Sequence, residues 1–122
     1  MTTSLTEMNF DHEKSFDKES FLGRLDNNMM IYKKLLSIAT DINGHLEGLK
    51  TSIESHDKES IRRSAHKLKG ASVNLSFNRL SKMAAAIEYD PVKDPDTVGV
   101  IFDNMLKEWG ELKGIVQSEL NN

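Results

Sequence analysis

The sequence predicts an all-α protein, an antiparallel four-helix bundle with a short extra helix at its N-terminal end. Apolar residues recur in steps of three and four over most of the 122 residues, the spacing of a single helix face. The only prolines are Pro91 and Pro95, so long stretches carry no helix breaker. No window alternates apolar and polar residues as a half-buried strand would, and no stretch repeats at a fixed period. Helices of this kind, joined by short loops, pack antiparallel.

Residues 1–15 show no periodicity and read as a flexible tail, which leaves 16–122 as one helical domain. Asp17 is placed to cap the first helix, and Phe16 before it can staple onto Phe21. That helix is short and ends near Leu25. A second begins after Asn27 or Asn28, with Leu35, Ile38, Ile42, Leu46, Leu49 and Ile53 as one continuous stripe. Gly44 and Gly48 weaken it by roughly 1 kcal/mol each relative to alanine, which argues against a straight helix there. The third runs from a cap at Asp57 to about Leu75. The fourth covers Asn78 to Tyr89, with Leu80, Met83, Ala84 and Ile87 facing inward, and Asp90-Pro91 stops it. The last starts at Asp94, a cap, with Pro95 in the first helical position. Val98, Ile101, Phe102, Met105, Trp109, Leu112 and Val116 then form its apolar face.

Composition excludes several classes of function. Cysteine is absent, so disulfides and thiolate metal sites are excluded and a reducing compartment is expected. The first residues lack a secretory signal, and no apolar run approaches the roughly 20 residues of a membrane span. A cytoplasmic protein is expected, and the termini read as those of a free-standing one. A carboxylate-bridged metal bundle needs Glu-x-x-His pairs, and no histidine has Glu three residues before it. No glycine-rich phosphate loop is present, so the chain is not expected to bind a nucleotide or to phosphorylate itself.

The net charge of −3 is unevenly spread. Between Asp57 and Lys82, seven basic residues (Lys58, Arg62, Arg63, Lys67, Lys69, Arg79, Lys82) face two acidic ones, a local +5 that leaves −8 for the remainder. An anionic partner suits that segment, although a solvated helix face would account for the charge as well. Nucleic acid is disfavoured by the acidic remainder and the lack of interleaved aromatics.

On a helical wheel, Ile61, Ala65, Leu68, Ser72 and Leu75 share one narrow face, the core side. His66 lies roughly 140° round from Ile61, outside that face. Arg62, Lys69 and Val73 flank it, and Gly70 sits one turn beyond. A neutral imidazole is a good nucleophile near neutral pH and can take up a phosphoryl group. Phosphoryl transfer depends mainly on positioning and on neutralising the equatorial oxygens, which Lys69 can do, with Arg62 on the other side. Gly70 leaves a notch for close approach of a partner, or else a place where another backbone packs. His12, His45 and His56 read as surface histidines, and Trp109 and the methionines as core.

The run Ala65-His66-Lys67-Leu68-Lys69-Gly70-Ala71-Ser72-Val73-Asn74-Leu75 resembles the signature of histidine-containing phosphotransfer (HPt) domains of bacterial two-component phosphorelays. The likeness covers roughly Phe16 to Leu120 and is strongest over Ala65 to Gly70. It implies a four-helix bundle without kinase activity or a cofactor of its own, magnesium being supplied by the receiver partner. It further implies a phosphorelay intermediate, with His66 as phosphoacceptor and Lys69 as charge stabiliser. The phosphoryl group would come from a receiver-domain aspartate, as in a hybrid sensor histidine kinase, and pass to a response-regulator receiver. Arg62, Arg63, Lys67, Gly70, Val73 and Phe77 are then expected to contact that partner, and the protein to act as a monomer. Many members carry a glycine after the histidine helix where this chain has Ser76 followed by Phe77, so the ending of that helix stays open. Phe77 would either fill core space or widen the docking surface. The alternative function is a helical docking module that binds receiver domains or a kinase and carries no phosphate.

Overall fold

A computed structural model of the chain describes residues 10, 12–89 and 95–121. They form α1 (Lys18–Arg24), α2 (Met29–Ser37), a 3-10 turn (Ile38–Thr40), α3 (Asp41–Ser55), α4 (Lys58–Asn74), α5 (Asn78–Tyr89) and α6 (Pro95–Leu120), with no strand among the described residues. α4 packs most extensively on α5 and then on α3, while α6 packs on α5, α2 and α3. Neither α3 and α5 nor α4 and α6 make an extensive contact. The bundle is therefore a ring in the order α3, α4, α5, α6, with α2 continuing α3 and α1 laid against α2.

Local sequence accounts for the helix starts. The Asp17 carboxylate accepts from Ser20 N at 3.1 Å, and the Phe16 and Phe21 rings meet edge to face with centroids 6.1 Å apart, the staple expected. Asn28 accepts from the N–H groups of Met30 and Ile31, and Asp57 from those of Glu59 and Ser60. Each such cap satisfies donors the helix leaves open, worth about 1 kcal/mol. The predicted faces of α4, α5 and α6 are all buried. Asp90-Pro91 and the Asp94 cap lie outside the described residues.

The expected second helix is broken, and not at its glycines. Gly44 and Gly48 lie inside α3 on its exposed side; the break is the 3-10 turn at Ile38–Thr40. Just before it the Ser37 hydroxyl donates to the Lys34 carbonyl at 2.6 Å, a local bond of the kind that bends helices. The turn also moves the core stripe. Tyr32, Leu36, Ala39, Ile42, Leu46 and Leu49 are buried, whereas Leu35 is half-buried and Ile38 is 52% exposed.

The described end of the expected tail is anchored. Phe10 packs partly buried against the core, Arg79 N donates to the Lys14 carbonyl at 2.9 Å, and Arg79 Nε donates to the Glu13 carbonyl at 3.2 Å. Arg79 also pairs with the buried Glu108, at 3.2 Å.

The end of α4 resolves around Ser76. Ser76 takes the left-handed conformation (φ 58°) that glycine usually supplies. Its N–H donates to the Val73 carbonyl at 3.0 Å and that of Phe77 to the Ser72 carbonyl at 2.9 Å, the paired bonds of a Schellman ending. Arg24 Nη2 donates to Ser76 Oγ at 2.6 Å, and Asp17 N to the Ser76 carbonyl at 2.9 Å, so α1 holds the turn in place. Phe77 is thereby driven into the core against Phe16, with ring centroids 5.7 Å apart, and against Trp109, at 6.3 Å.

Candidate functional site

His66 projects from the outer side of α4, where its side chain is 70% exposed. The close α4–α5 packing sets Glu88, the residue after the buried Ile87, directly across from it. Glu88 Oε2 lies 2.7 Å from His66 Nδ1, and Lys69 Nζ donates to Glu88 Oε1 at 2.6 Å. One carboxylate thus holds both groups, and with only 13% of its side chain exposed it is itself held still. The hydrogen bond from Lys69 keeps the Glu88 carboxyl below its usual range, aided by that from His66, while partial burial pushes the other way. The Lys69 ammonium is correspondingly raised, first by its hydrogen bond to Glu88.

An ionised carboxylate can only accept a hydrogen bond. The proton of the His66–Glu88 contact therefore sits on Nδ1, and in the neutral ring the lone pair is on Nε2, at the far edge of an exposed imidazole. Lys69 Nζ also lies 5.9 Å from the ring centroid of Tyr89, a residue that is itself strongly exposed.

The remaining site residues divide. Arg62, Arg63, His66 and Lys67 line one shallow depression together with Glu59 and Glu88, and Arg62 Nη1 lies 3.3 Å from Glu59 Oε2. Gly70 is exposed, and a Cβ added there would meet nothing within 4 Å, so no neighbouring backbone requires a glycine. Val73, further along α4, is 51% exposed. Phe77 is not on this surface: it is fully buried, because the Ser76 turn points it inward, and it is no docking contact. Lys69 and Arg79 are each bound to a carboxylate from outside the basic segment, so the exposed positive charge is smaller than the sequence count of +5.

The sequence reading did not single out Glu88, which the fold brings to His66, or the exposed Tyr89 beside it. The signal available was an acid at the margin of the α5 core stripe, but only the register of α5 on α4 brings it to His66. The other histidines differ. His12 lies 3.5 Å from Glu13, His45 is half-buried and His56 is the left-handed cap of α3, so none shares a carboxylate with a lysine. Among the described residues no group of His, Asp and Glu could hold a metal ion, and no helix is long and apolar enough to cross a membrane.

The family model of the Hpt domain matches residues 37–111, from the last residue of α2 into α6. The chain belongs to the Hpt domain family. No curated protein and no solved structure matches it. Membership makes this Hpt domain a phosphotransfer module of two-component signalling, in a family whose members are phosphocarriers that interact with receiver domains and kinases in phosphorelays. The match spans the whole of α3, α4 and α5 and so includes His66, Lys69, Gly70 and Glu88. Residues 16–36, where the likeness drawn from the sequence begins, lie outside the matched residues.

Proposed function

We propose that this Hpt domain is a phosphorelay intermediate that accepts a phosphoryl group on His66 from a receiver-domain aspartate and passes it to a response-regulator receiver. The observation that carries the reading is the shared carboxylate. An ionised Glu88 accepts from His66 Nδ1, which leaves the lone pair on Nε2 in the neutral ring, and it ties the Lys69 ammonium to the same site.

In the forward step the Nε2 lone pair attacks phosphorus and forms an N–P bond. The bond from phosphorus to the aspartyl oxygen breaks, and its electron pair returns to the aspartate as carboxylate. No proton is lost, since Nδ1 keeps its own. The ring becomes cationic, and Glu88 faces the N–H on which that charge is largest. Lys69 has three donor hydrogens, so it can retain Glu88 and still reach a phosphoryl oxygen. Passing the group to the next aspartate reverses the step. The chain contributes no metal; magnesium comes with the receiver. Arg62, Arg63 and Lys67 supply the positive surface for an acidic receiver pocket, Gly70 the space for close approach, and Val73 an apolar contact. The donor is a hybrid sensor histidine kinase, and the domain works in the cytoplasm as a monomer.

Incubation with a phosphorylated receiver domain tests the reading. Acid-labile, base-stable label should appear on the chain and be absent from His66→Gln. A chain that binds the receiver but takes no label would instead be a docking module alone.

A further inference from the structure

On the side of the ring opposite His66 the bundle is open. The α3–α6 seam lies across from the α4–α5 seam that carries His66 and Glu88, and of the four seams it is the most sparsely packed. A groove runs along it, floored by the buried Leu46 and Phe102 and the half-buried Ile53. Val100 and Leu106, 39% and 46% exposed, edge it on α6. Gly99 also lines the groove, and a Cβ built there would meet nothing within 4 Å, so part of its width is a missing side chain. Among the described residues that line it the charges are one-sided: Glu47, Glu54 and Asp103 against Lys50.

We propose that this groove docks a basic amphipathic helix of a partner protein, at the same time as a receiver occupies the His66 face. An apolar trough between two helices takes the apolar stripe of a third. The acidic rim selects lysine and arginine on the flanks of that stripe, speeds encounter and repels acidic helices, nucleic acid and anionic lipid surfaces. The two faces of the domain thus have opposite preferences. In the His66 depression Arg62, Arg63 and Lys67 outnumber Glu59 and Glu88, while in the α3–α6 groove carboxylates outnumber the single Lys50 among the described lining residues. A partner held in the groove stays bound through phosphoryl transfer because it competes for none of the same surface.

The inference does not rest on His66 chemistry, and its test is separate. A short helical peptide with leucine on one face and lysine elsewhere is titrated into the full ¹⁵N-labelled chain, beside the same pattern with glutamate for lysine. Expected are shifts of the Gly99, Val100 and Leu106 amides by the lysine peptide and none by the glutamate peptide. The amides around His66 should not move, and the affinity should be the same for His66→Gln. Gly99→Leu fills the groove with a better helix former, so it should fold normally, accept phosphoryl groups at the original rate, and lose about tenfold or more in peptide affinity. Glu54→Lys with Asp103→Lys should weaken binding at low salt. Equal binding of the two peptides, shifts centred on α4, or undiminished binding by a folded Gly99→Leu variant would overturn the proposal.

Discussion

Glu88 is bound to His66 through one carboxylate oxygen, at 2.7 Å from Nδ1, and to Lys69 through the other, at 2.6 Å from Nζ. The nucleophile and the positive charge proposed to serve it are therefore coupled through a residue on a different helix. Loss of Glu88 should affect both.

Glu88→Ala should slow phosphoryl uptake on the order of tenfold, the equivalent of one hydrogen bond to a charged group at ~1.5 kcal/mol. The ring should also lose its tautomer preference, read as a shift of its nitrogen resonances toward a mixture. Helicity should persist, because the site lies outside the core stripes. Unchanged transfer with unchanged ring nitrogens would remove Glu88 from the site.

Acid should release the bridge, with the sign set by Glu88. A carboxyl lowered in the folded state adds stability that is fully present above its unfolded value and is lost as the pH falls through the lowered one. Lys69 is the larger cause of that lowering and His66 the smaller. Carboxyl-carbon titration should therefore place Glu88 below the ordinary glutamate range, and Lys69→Ala should move it back up toward that range. An unmoved midpoint in Lys69→Ala would contradict the pairing.

Gly70→Ala should leave stability equal or higher by up to about 1 kcal/mol, since the added Cβ meets open space. Gly70→Gln should also fold, yet block transfer, because the incoming aspartyl phosphate must come within a few ångströms of the imidazole. Thermal melts and transfer rates on the same two variants decide this. A destabilised Gln variant, or a stable one that transfers normally, would rule out access as the role of Gly70.

Four non-glycine residues at helix ends take the left-handed region: Asp26 and Asn27 after α1, His56 after α3 at φ 60° and Ser76 after α4 at φ 58°. Such a conformation costs an L-residue roughly 1–2 kcal/mol. His56 is exposed, so His56→Gly should stabilise by about 1 kcal/mol. At Ser76 the relief is offset by loss of the Arg24 hydrogen bond, so Ser76→Gly should lie near the parent and Ser76→Ala about 1 kcal/mol or more below it. Urea unfolding of the three variants measures the order.

What was legible in the sequence was local. The stripe from Ile61 to Leu75 places His66 on the exposed side by arithmetic alone, and the α6 face from Val98 to Val116 is an uninterrupted helical period. The caps at Asp17 and Asp57 depend only on the residues beside them. What escaped depends on contacts distant in sequence or on a change of helical pitch. The 3-10 turn at Ile38–Thr40 tightens the winding, so a stripe drawn through Leu35 and Ile38 slides onto Leu36 and Ala39. Phe77 is buried because Arg24 and Asp17, more than fifty residues away, hold the Ser76 turn. Glu88 reaches His66 across twenty-two residues only through the packing of α5 on α4.

The most direct measurement is the identity of the phosphorylated atom. The ¹⁵N-labelled chain, charged by a phosphorylated receiver, would be examined for nitrogen–phosphorus coupling in the histidine rings. Expected is a single phosphohistidine at His66, coupled through Nε2 with the proton retained on Nδ1, and no label in His66→Gln of unchanged melting temperature. Label on Nδ1, on His12, His45 or His56, or on no histidine at all would contradict the assignment.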